Sequence, residues 1–123
     1  MLFYLTQLLQ KEKMEVIMVT REQIINAVTI AAEKYPILAC YLFGSYSRGE
    51  ETETSDVDLI IDLPRSGITY ITLENIQMEL SEELGVSVDL KTIGALEENP
   101  LFFKYIEDDL IELFDIKSMK VFI

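Results

Sequence analysis

The segment YLFGSYSRGEETETSDVDLIID, residues 41–62, predicts the centre of the fold. Its two apolar runs are each typical of a β-strand, and a glycine–serine turn and a charged loop separate them. Side chains on a strand point alternately to its two faces. We therefore expect Asp56 and Asp58 to lie on one face of the second strand, with Val57 and Leu59 on the other.

The two neighbouring aspartates predict a cation site. Like charges on one face repel each other, so Asp56 and Asp58 are stable side by side when a cation lies between them. Hard divalent ions such as Mg²⁺ favour sites made only of oxygen atoms. The alternative is that Asp56 is a turn residue before the strand and that Asp58 is an ordinary solvent-facing position.

The glycine–serine turn predicts an anion site. Ser45 is expected to begin a short helix over residues 45–49, whose first backbone N–H groups have no partner within the helix. The hydroxyl of Ser45 adds a donor, and Gly44 lets a phosphate approach the backbone closely. A Gly-Ser pair alone is more often an ordinary turn. Beside the two aspartates, it favours a nucleotide-triphosphate site.

Together these residues resemble a known signature. Gly44-Ser45, ten intervening residues and Asp56-Val57-Asp58 resemble the signature of the nucleotidyltransferase superfamily related to DNA polymerase β. The fuller run GSYSRG…SDVDLII is similar to the smallest branch, the minimal nucleotidyltransferases (MNT). Many of these are antitoxins encoded beside HEPN-domain toxins. The resemblance covers residues 20–115.

The resemblance implies that three acids are catalytic and bind metal. Asp56 and Asp58 would both ligate Mg²⁺, with two ions in the site. Val88-Asp89-Leu90 matches the position of the family's third acid, on a strand beside the Asp-x-Asp strand. Asp89 would complete the acceptor-side ion and help to deprotonate the attacking hydroxyl. A lone acid in a strand is otherwise unremarkable.

The resemblance also implies the nucleotide-binding residues. Gly44 and Ser45 would hold the β- and γ-phosphates of ATP. ATP is preferred by family likeness alone, because the sequence supplies no base-recognition pocket. Arg48 is the third candidate, and its guanidinium would either reach a phosphate or pair with a neighbouring glutamate. Both interpretations of Arg48 stay open.

The function implied by the resemblance is transfer of AMP from ATP to a hydroxyl of a cognate HEPN toxin. The acceptor would be a tyrosine, and the protein would act as the antitoxin of a type VII-like toxin–antitoxin pair. Two alternatives stay open. One is a non-catalytic antitoxin that masks the toxin by binding, and the other is a small-molecule nucleotidyltransferase of the antibiotic-modifying kind. The latter enzymes carry a second substrate domain, for which 123 residues leave no room.

Composition narrows the class of partner. The net charge is −12, from 22 acidic and 10 basic residues, which disfavours direct binding of nucleic acid and favours a basic protein partner. A surface kept soluble by acids is the simpler interpretation. The chain has one cysteine, Cys40, and no apolar run near the roughly 20 residues of a membrane span. We therefore expect a cytoplasmic protein without membrane association. A homo- or hetero-oligomer stays open.

The remaining patterns predict a single α/β (α+β) domain. An N-terminal extension over residues 1–19 precedes a minimal nucleotidyltransferase domain over residues 20–115, and a tail over residues 116–123 follows. Thr20 and Gln23 form a capping box. The domain would be a mixed sheet of about four strands backed by helices. Helices are predicted over 20–34, 45–49 and 69–84 and from 100, and strands over 37–43, 56–62, 86–91 and, at a sheet edge, 110–114.

Overall fold

Helices and strands alternate along the part of the chain that the structure describes. The computed structural model describes residues 18–66 and 69–117. A 3₁₀ turn, Glu107–Asp109, joins the last helix to the last strand. The elements, in chain order, are α1 (Arg21–Lys34), β1 (Ala39–Phe43), α2 (Ser45–Arg48), β2 (Val57–Asp62), α3 (Tyr70–Leu84), β3 (Val88–Thr92), α4 (Ile93–Glu98), α5 (Pro100–Ile106) and β4 (Ile111–Asp115).

The four strands of the described residues form one mixed sheet in the order β3-β2-β1-β4. Strand β1 runs antiparallel to both β2 and β4, whereas β2 runs parallel to β3. Strand β4 lies at an edge, as predicted from the sequence. The predicted mixed sheet of a single α/β unit is therefore confirmed.

The main hydrophobic core lies between one face of the sheet and the two long helices. In β2, Val57, Leu59 and Ile61 are fully buried, and Val57 and Leu59 lie on the face opposite Asp58, as predicted. They belong to one cluster with residues of α1 and α3, namely Ile24, Val28, Ile76 and Leu80. Cys40 also lies in this core, and burial raises the pKa of its thiol to about 12.

The opposite face of the sheet is only partly covered. Phe43 and Ile60 form a small buried cluster with Leu96 of α4 and Ile106 of α5. On the same face of β2, Asp58 and Asp62 keep intermediate exposure. The two short helices therefore close one part of this face and leave the acidic part accessible.

The observed boundaries follow the predictions with small shifts. The capping box is present, since the Thr20 hydroxyl accepts from the Gln23 N–H and the Gln23 side chain accepts from the Thr20 N–H. Strand β1 begins at Ala39 rather than at residue 37, and β3 begins at Val88 rather than at residue 86. Helix α4 was missed by the sequence analysis. It is capped by Thr92, whose hydroxyl accepts from the backbone of residue 95.

The predicted extension and tail fall mostly outside the described residues. Of the extension, only residues 18 and 19 are described, and of the tail only residues 116 and 117. The domain limits at 20 and 115 therefore stay predictions. Among the described residues, no helix is both long and apolar enough to cross a membrane.

Candidate active site

Asp58 and Asp89 face each other on neighbouring strands. They are register partners in the parallel pair of β2 and β3, and directly opposed residues in a sheet share a face. Asp56 lies one residue before the start of β2 at Val57. The expected neighbouring strand with one acid is present, but the prediction that Asp56 also lies on the strand is wrong, because β2 begins at Val57.

Asp58 is the electrostatic centre of this group. Burial raises the pKa of its carboxyl to about 6, and the negative charges of Asp89 and Asp56 act in the same direction. The positive charges of Lys91 and Arg48 act in the opposite direction but are weaker causes. Both other acids therefore lie close enough to Asp58 to influence its ionisation.

The glycine–serine bend packs directly against Asp58. Gly44 has φ 76° and ψ −156°, a region of the backbone map that is essentially restricted to glycine. A Cβ at Gly44 would overlap the Asp58 carboxylate. Glycine is therefore required here both by its backbone conformation and by the space that the carboxylate occupies.

The short helix α2 is bonded to Asp109, in the 3₁₀ turn before β4. The N–H groups of Ser47 and Arg48 donate to the Gly44 carbonyl. The Ser47 hydroxyl donates to the backbone carbonyl of Asp109, and Arg48 Nη1 lies 2.7 Å from Asp109 Oδ2. Arg48 Nε also lies 3.1 Å from Glu50 Oε2. Arg48 therefore pairs with Glu50, a neighbouring glutamate, as one of its two interpretations proposed, and also with Asp109, which the sequence did not indicate.

Lys91 is a residue of this site that the sequence analysis missed. Its Nζ lies 2.7 Å from Asp89 Oδ2 and 5.7 Å from the centre of the Phe102 ring. The Phe102 ring stands edge-on to Phe43, with centroids 5.9 Å apart. The signal was present in the sequence, because a lysine two positions after Asp89 on a strand must share its face.

The donor chemistry of the site fits a hard divalent ion. Asp56, Asp58 and Asp89 offer only oxygen ligands, which is the set that Mg²⁺ prefers. The side chains are not closed around a common point, since no group of three carboxylates, histidines or cysteines among the described residues is arranged to hold an ion. One oxygen of Asp89 is instead occupied by Lys91.

Sequence comparisons place this arrangement in a family. Residues 24–116 match the model of the nucleotidyltransferase domain. A protein of Methanocaldococcus jannaschii that is provisionally named a protein adenylyltransferase is 46% identical over 84 residues, which are 67% of this chain and 82% of that protein. Protein adenylyltransferase MntA of Thermococcus cleftensis is 37% identical over 86 residues, covering 65% of this chain and 84% of that protein.

Solved structures share the fold. A chain in the crystal structure of a toxin–antitoxin with AMP-PNP has a TM-score of 0.64 at 20% identity. The match covers 76% of this chain and 75% of the other. A chain in the structure of the tri-AMPylated Shewanella oneidensis HEPN toxin in complex with MNT antitoxin has a TM-score of 0.60 at 18% identity. That match covers 80% of this chain and 76% of the other.

The family follows from the sequence matches, and the structural neighbours agree with it in fold. The nucleotidyltransferase model spans most of the described residues, and the curated relatives are covered over most of their length. The chain is a nucleotidyltransferase, and it belongs to the family that includes protein adenylyltransferase MntA.

Proposed function

We propose that this protein transfers AMP from ATP to a tyrosine hydroxyl of a cognate HEPN toxin and so acts as the antitoxin of a type VII-like pair. The observation that carries the proposal is the packing of the Gly44 bend against Asp58, opposite Asp89, on the open face of the sheet. The names of the relatives and the toxin–antitoxin neighbours support this choice of acceptor.

The three acids are proposed to bind two Mg²⁺ ions. Ions held by Asp56, Asp58 and Asp89 would offset the negative charge of the α-phosphate and of the departing pyrophosphate. Asp58 is the best positioned of the three, because the Gly44 bend limits where its carboxylate can lie. Asp89, directly opposite on β3, is the acid that we assign to the acceptor side.

The reaction is an in-line displacement at the α-phosphorus of ATP. The acceptor oxygen forms a bond to that phosphorus, the bond to the bridging oxygen of pyrophosphate breaks, and the hydroxyl proton passes to Asp89. The bend at Gly44 and Ser45 would hold the β- and γ-phosphates of ATP through backbone N–H groups and the serine hydroxyl.

Replacement of Arg48 tests its proposed part in nucleotide binding. In the structure its guanidinium is shared between Asp109 and Glu50 at the surface, where such pairs contribute little to stability. We expect Arg48→Ala to weaken ATP binding about fivefold to tenfold, because a cation beside the triphosphate is lost. Isothermal titration calorimetry with a non-hydrolysable ATP analogue measures the change.

Arg65→Ala is the matched control for Arg48. Arg65 is 90% exposed and pairs with Glu97 at 3.4 Å, so its removal changes the net charge equally without touching the bend. ATP affinity should stay at the wild-type value in Arg65→Ala. Equal losses in both variants would mean that only the overall charge matters, and no loss in Arg48→Ala would remove Arg48 from the nucleotide site.

The net charge of −12 suits a basic protein partner better than a polynucleotide acceptor. Because this charge disfavours a polynucleotide, we propose a protein hydroxyl as the acceptor. A complex with a basic toxin, formed in the cytoplasm, is the assembly that this charge favours.

Mass spectrometry of the partner tests the proposed function. The chain is mixed with the HEPN-domain protein encoded beside it, with ATP and Mg²⁺, and the mass of the intact partner is measured. We expect an increase of one or more adenylyl groups that disappears with Asp56→Ala. Replacing the modified tyrosine by phenylalanine should also remove the increase.

The same experiment separates catalysis from masking by contact. If toxin activity falls equally without any change in mass, and also falls with Asp56→Ala, the protein inhibits by binding alone. If neither mass nor toxin activity changes, the proposed acceptor is wrong.

A further inference from the structure

Lys91 places a positive charge on the acid that we assign to the acceptor side. Its Nζ lies 2.7 Å from Asp89 Oδ2, within the range of a charge-assisted hydrogen bond. Asp89 is itself the register partner of Asp58. The lysine ammonium therefore takes up a carboxylate oxygen that a metal ion on the acceptor side would need.

The position of Lys91 is fixed by more than the ion pair. The ammonium lies over the ring of Phe102, at a distance at which cation–π attraction contributes. Phe102 in turn packs edge-on against the buried Phe43. The Lys91 side chain is 34% exposed, against 61% for Lys34. The contacts with Phe102 and Asp89 therefore hold the Lys91 side chain in the site.

The charge of Lys91 reaches beyond Asp89. Asp58 is the register partner of Asp89 on the neighbouring strand, so the ammonium also lies near this second acid. Three acids in this small region carry three negative charges when ionised, and one lysine offsets one of them. The lysine therefore neutralises part of the negative charge that a bound divalent cation would neutralise.

An ordinary surface ion pair is the simpler explanation of the contact. Such pairs are worth little, and their partners are usually exposed and free to exchange. The Lys91–Asp89 pair differs because Phe102 supports the lysine from α5 and because the partner acid faces Asp58 across the sheet. The ion pair therefore lies within the proposed metal site.

We infer that Lys91 is an internal counter-ion that competes with the acceptor-side divalent ion for Asp89. The first ion binds at Asp56 and Asp58, and a second ion binds more weakly because the Lys91 ammonium must leave Asp89. The inference rests on the proposed function in so far as that function assigns these acids to metal, and it adds that the two ions are not equivalent.

Direct titration with Mn²⁺, without nucleotide or toxin, tests this inference. Free Mn²⁺ is followed by electron paramagnetic resonance for wild type, Lys91→Met, Lys91→Arg and Lys104→Met. We expect the weaker class of Mn²⁺ sites to become roughly tenfold tighter in Lys91→Met, because the site loses a competing positive charge. Lys91→Arg keeps the charge and should bind as wild type.

Lys104→Met is the matched control, since Lys104 is exposed on α5 and its loss changes the net charge by the same amount. It should leave both classes of Mn²⁺ site unchanged. Thermal unfolding in EDTA gives a second measurement. Lys91→Met should melt at a lower temperature than wild type and should regain more stability on addition of Mn²⁺.

Three results would overturn the inference. Identical Mn²⁺ isotherms for wild type and Lys91→Met would show that the lysine does not compete, and so would the absence of Mn²⁺ binding in all four proteins. An equal gain in Lys91→Arg or Lys104→Met would assign the effect to shape or to overall charge. Failure of AMP transfer to a toxin is a separate outcome, because no nucleotide is present in this titration.

Discussion

Asp58→Asn is expected to abolish AMP transfer and at the same time to stabilise the metal-free protein. The carboxylate is the proposed metal ligand that the Gly44 bend holds in place, so transfer should fall by about a hundredfold or more. In the absence of metal, the same carboxylate is half-buried and repelled by Asp89 and Asp56. Asparagine has a similar shape and carries no charge, which removes that repulsion.

The gain in stability should depend on pH in a defined direction. The pKa of Asp58 is raised from 3.8 to about 6 in the folded protein, so the ionised group destabilises the folded state fully above pH 6. After allowance for its partial exposure, the effect is about 1 kcal/mol. It shrinks as the pH falls through 6 and is absent below 3.8, where the carboxyl is protonated in both states.

Urea unfolding in EDTA at pH 7.5, 5 and 3.5 measures this dependence, and the mass of the proposed HEPN partner measures AMP transfer. Asp62→Asn is the matched control, because Asp62 lies on the same face of β2 at its far end. Asp62→Asn should retain AMP transfer. Retention of transfer by Asp58→Asn, or a loss of stability at pH 7.5, would contradict the assignment of Asp58.

Gly44→Ala should lower both stability and activity. At φ 76° and ψ −156°, a residue with a side chain is strained by about 1–3 kcal/mol. The added methyl group would also overlap the Asp58 carboxylate, so either the bend or the carboxylate must move. We expect a loss of about 2–4 kcal/mol in the free energy of unfolding and a fall in AMP transfer of at least about tenfold.

Gly85→Ala separates backbone strain from the collision at Asp58. Gly85 ends α3 with φ 72° and ψ 15°, and a Cβ there would meet nothing within 4 Å. We expect a loss of about 1 kcal/mol in the free energy of unfolding and unchanged AMP transfer. If Gly44→Ala and Gly85→Ala lost equal stability and both kept AMP transfer, the contact between the bend and Asp58 would not be needed for transfer.

Local patterns were sufficient for most elements of the fold. Alternation in β2 predicted that Val57 and Leu59 lie on the face opposite Asp58, and the capping box at Thr20 marked the start of α1. Helix α4 was missed because it is six residues long and offers only one apolar pair at helical spacing, Ile93 and Leu96. Its one buried side chain, Leu96, packs against Phe43 and Ile60 of the sheet, and no local pattern indicates this long-range contact.

The site could be predicted only in part, because its decisive contacts are long-range. The spacing of Gly44, Asp56 and Asp58 came from one segment, but the facing of Asp58 and Asp89 depends on the parallel register of β2 and β3. Asp89 was assigned by resemblance, since a lone acid in a strand carries no signal of its own. The Arg48–Asp109 pair joins positions 61 residues apart, which no local pattern reveals.

The attachment of α2 to Asp109 has a consequence for biosynthesis. Ser47 and Arg48 are made early, but the residue that fastens them is made 62 and 61 positions later. During synthesis on the ribosome, α2 therefore lacks these two contacts until Asp109 has been translated. Bringing residues so far apart in sequence together costs loop-closure entropy, which slows folding. A polypeptide that stops before Asp109 would lack both contacts, and the backbone bend at Gly44 would lose this support.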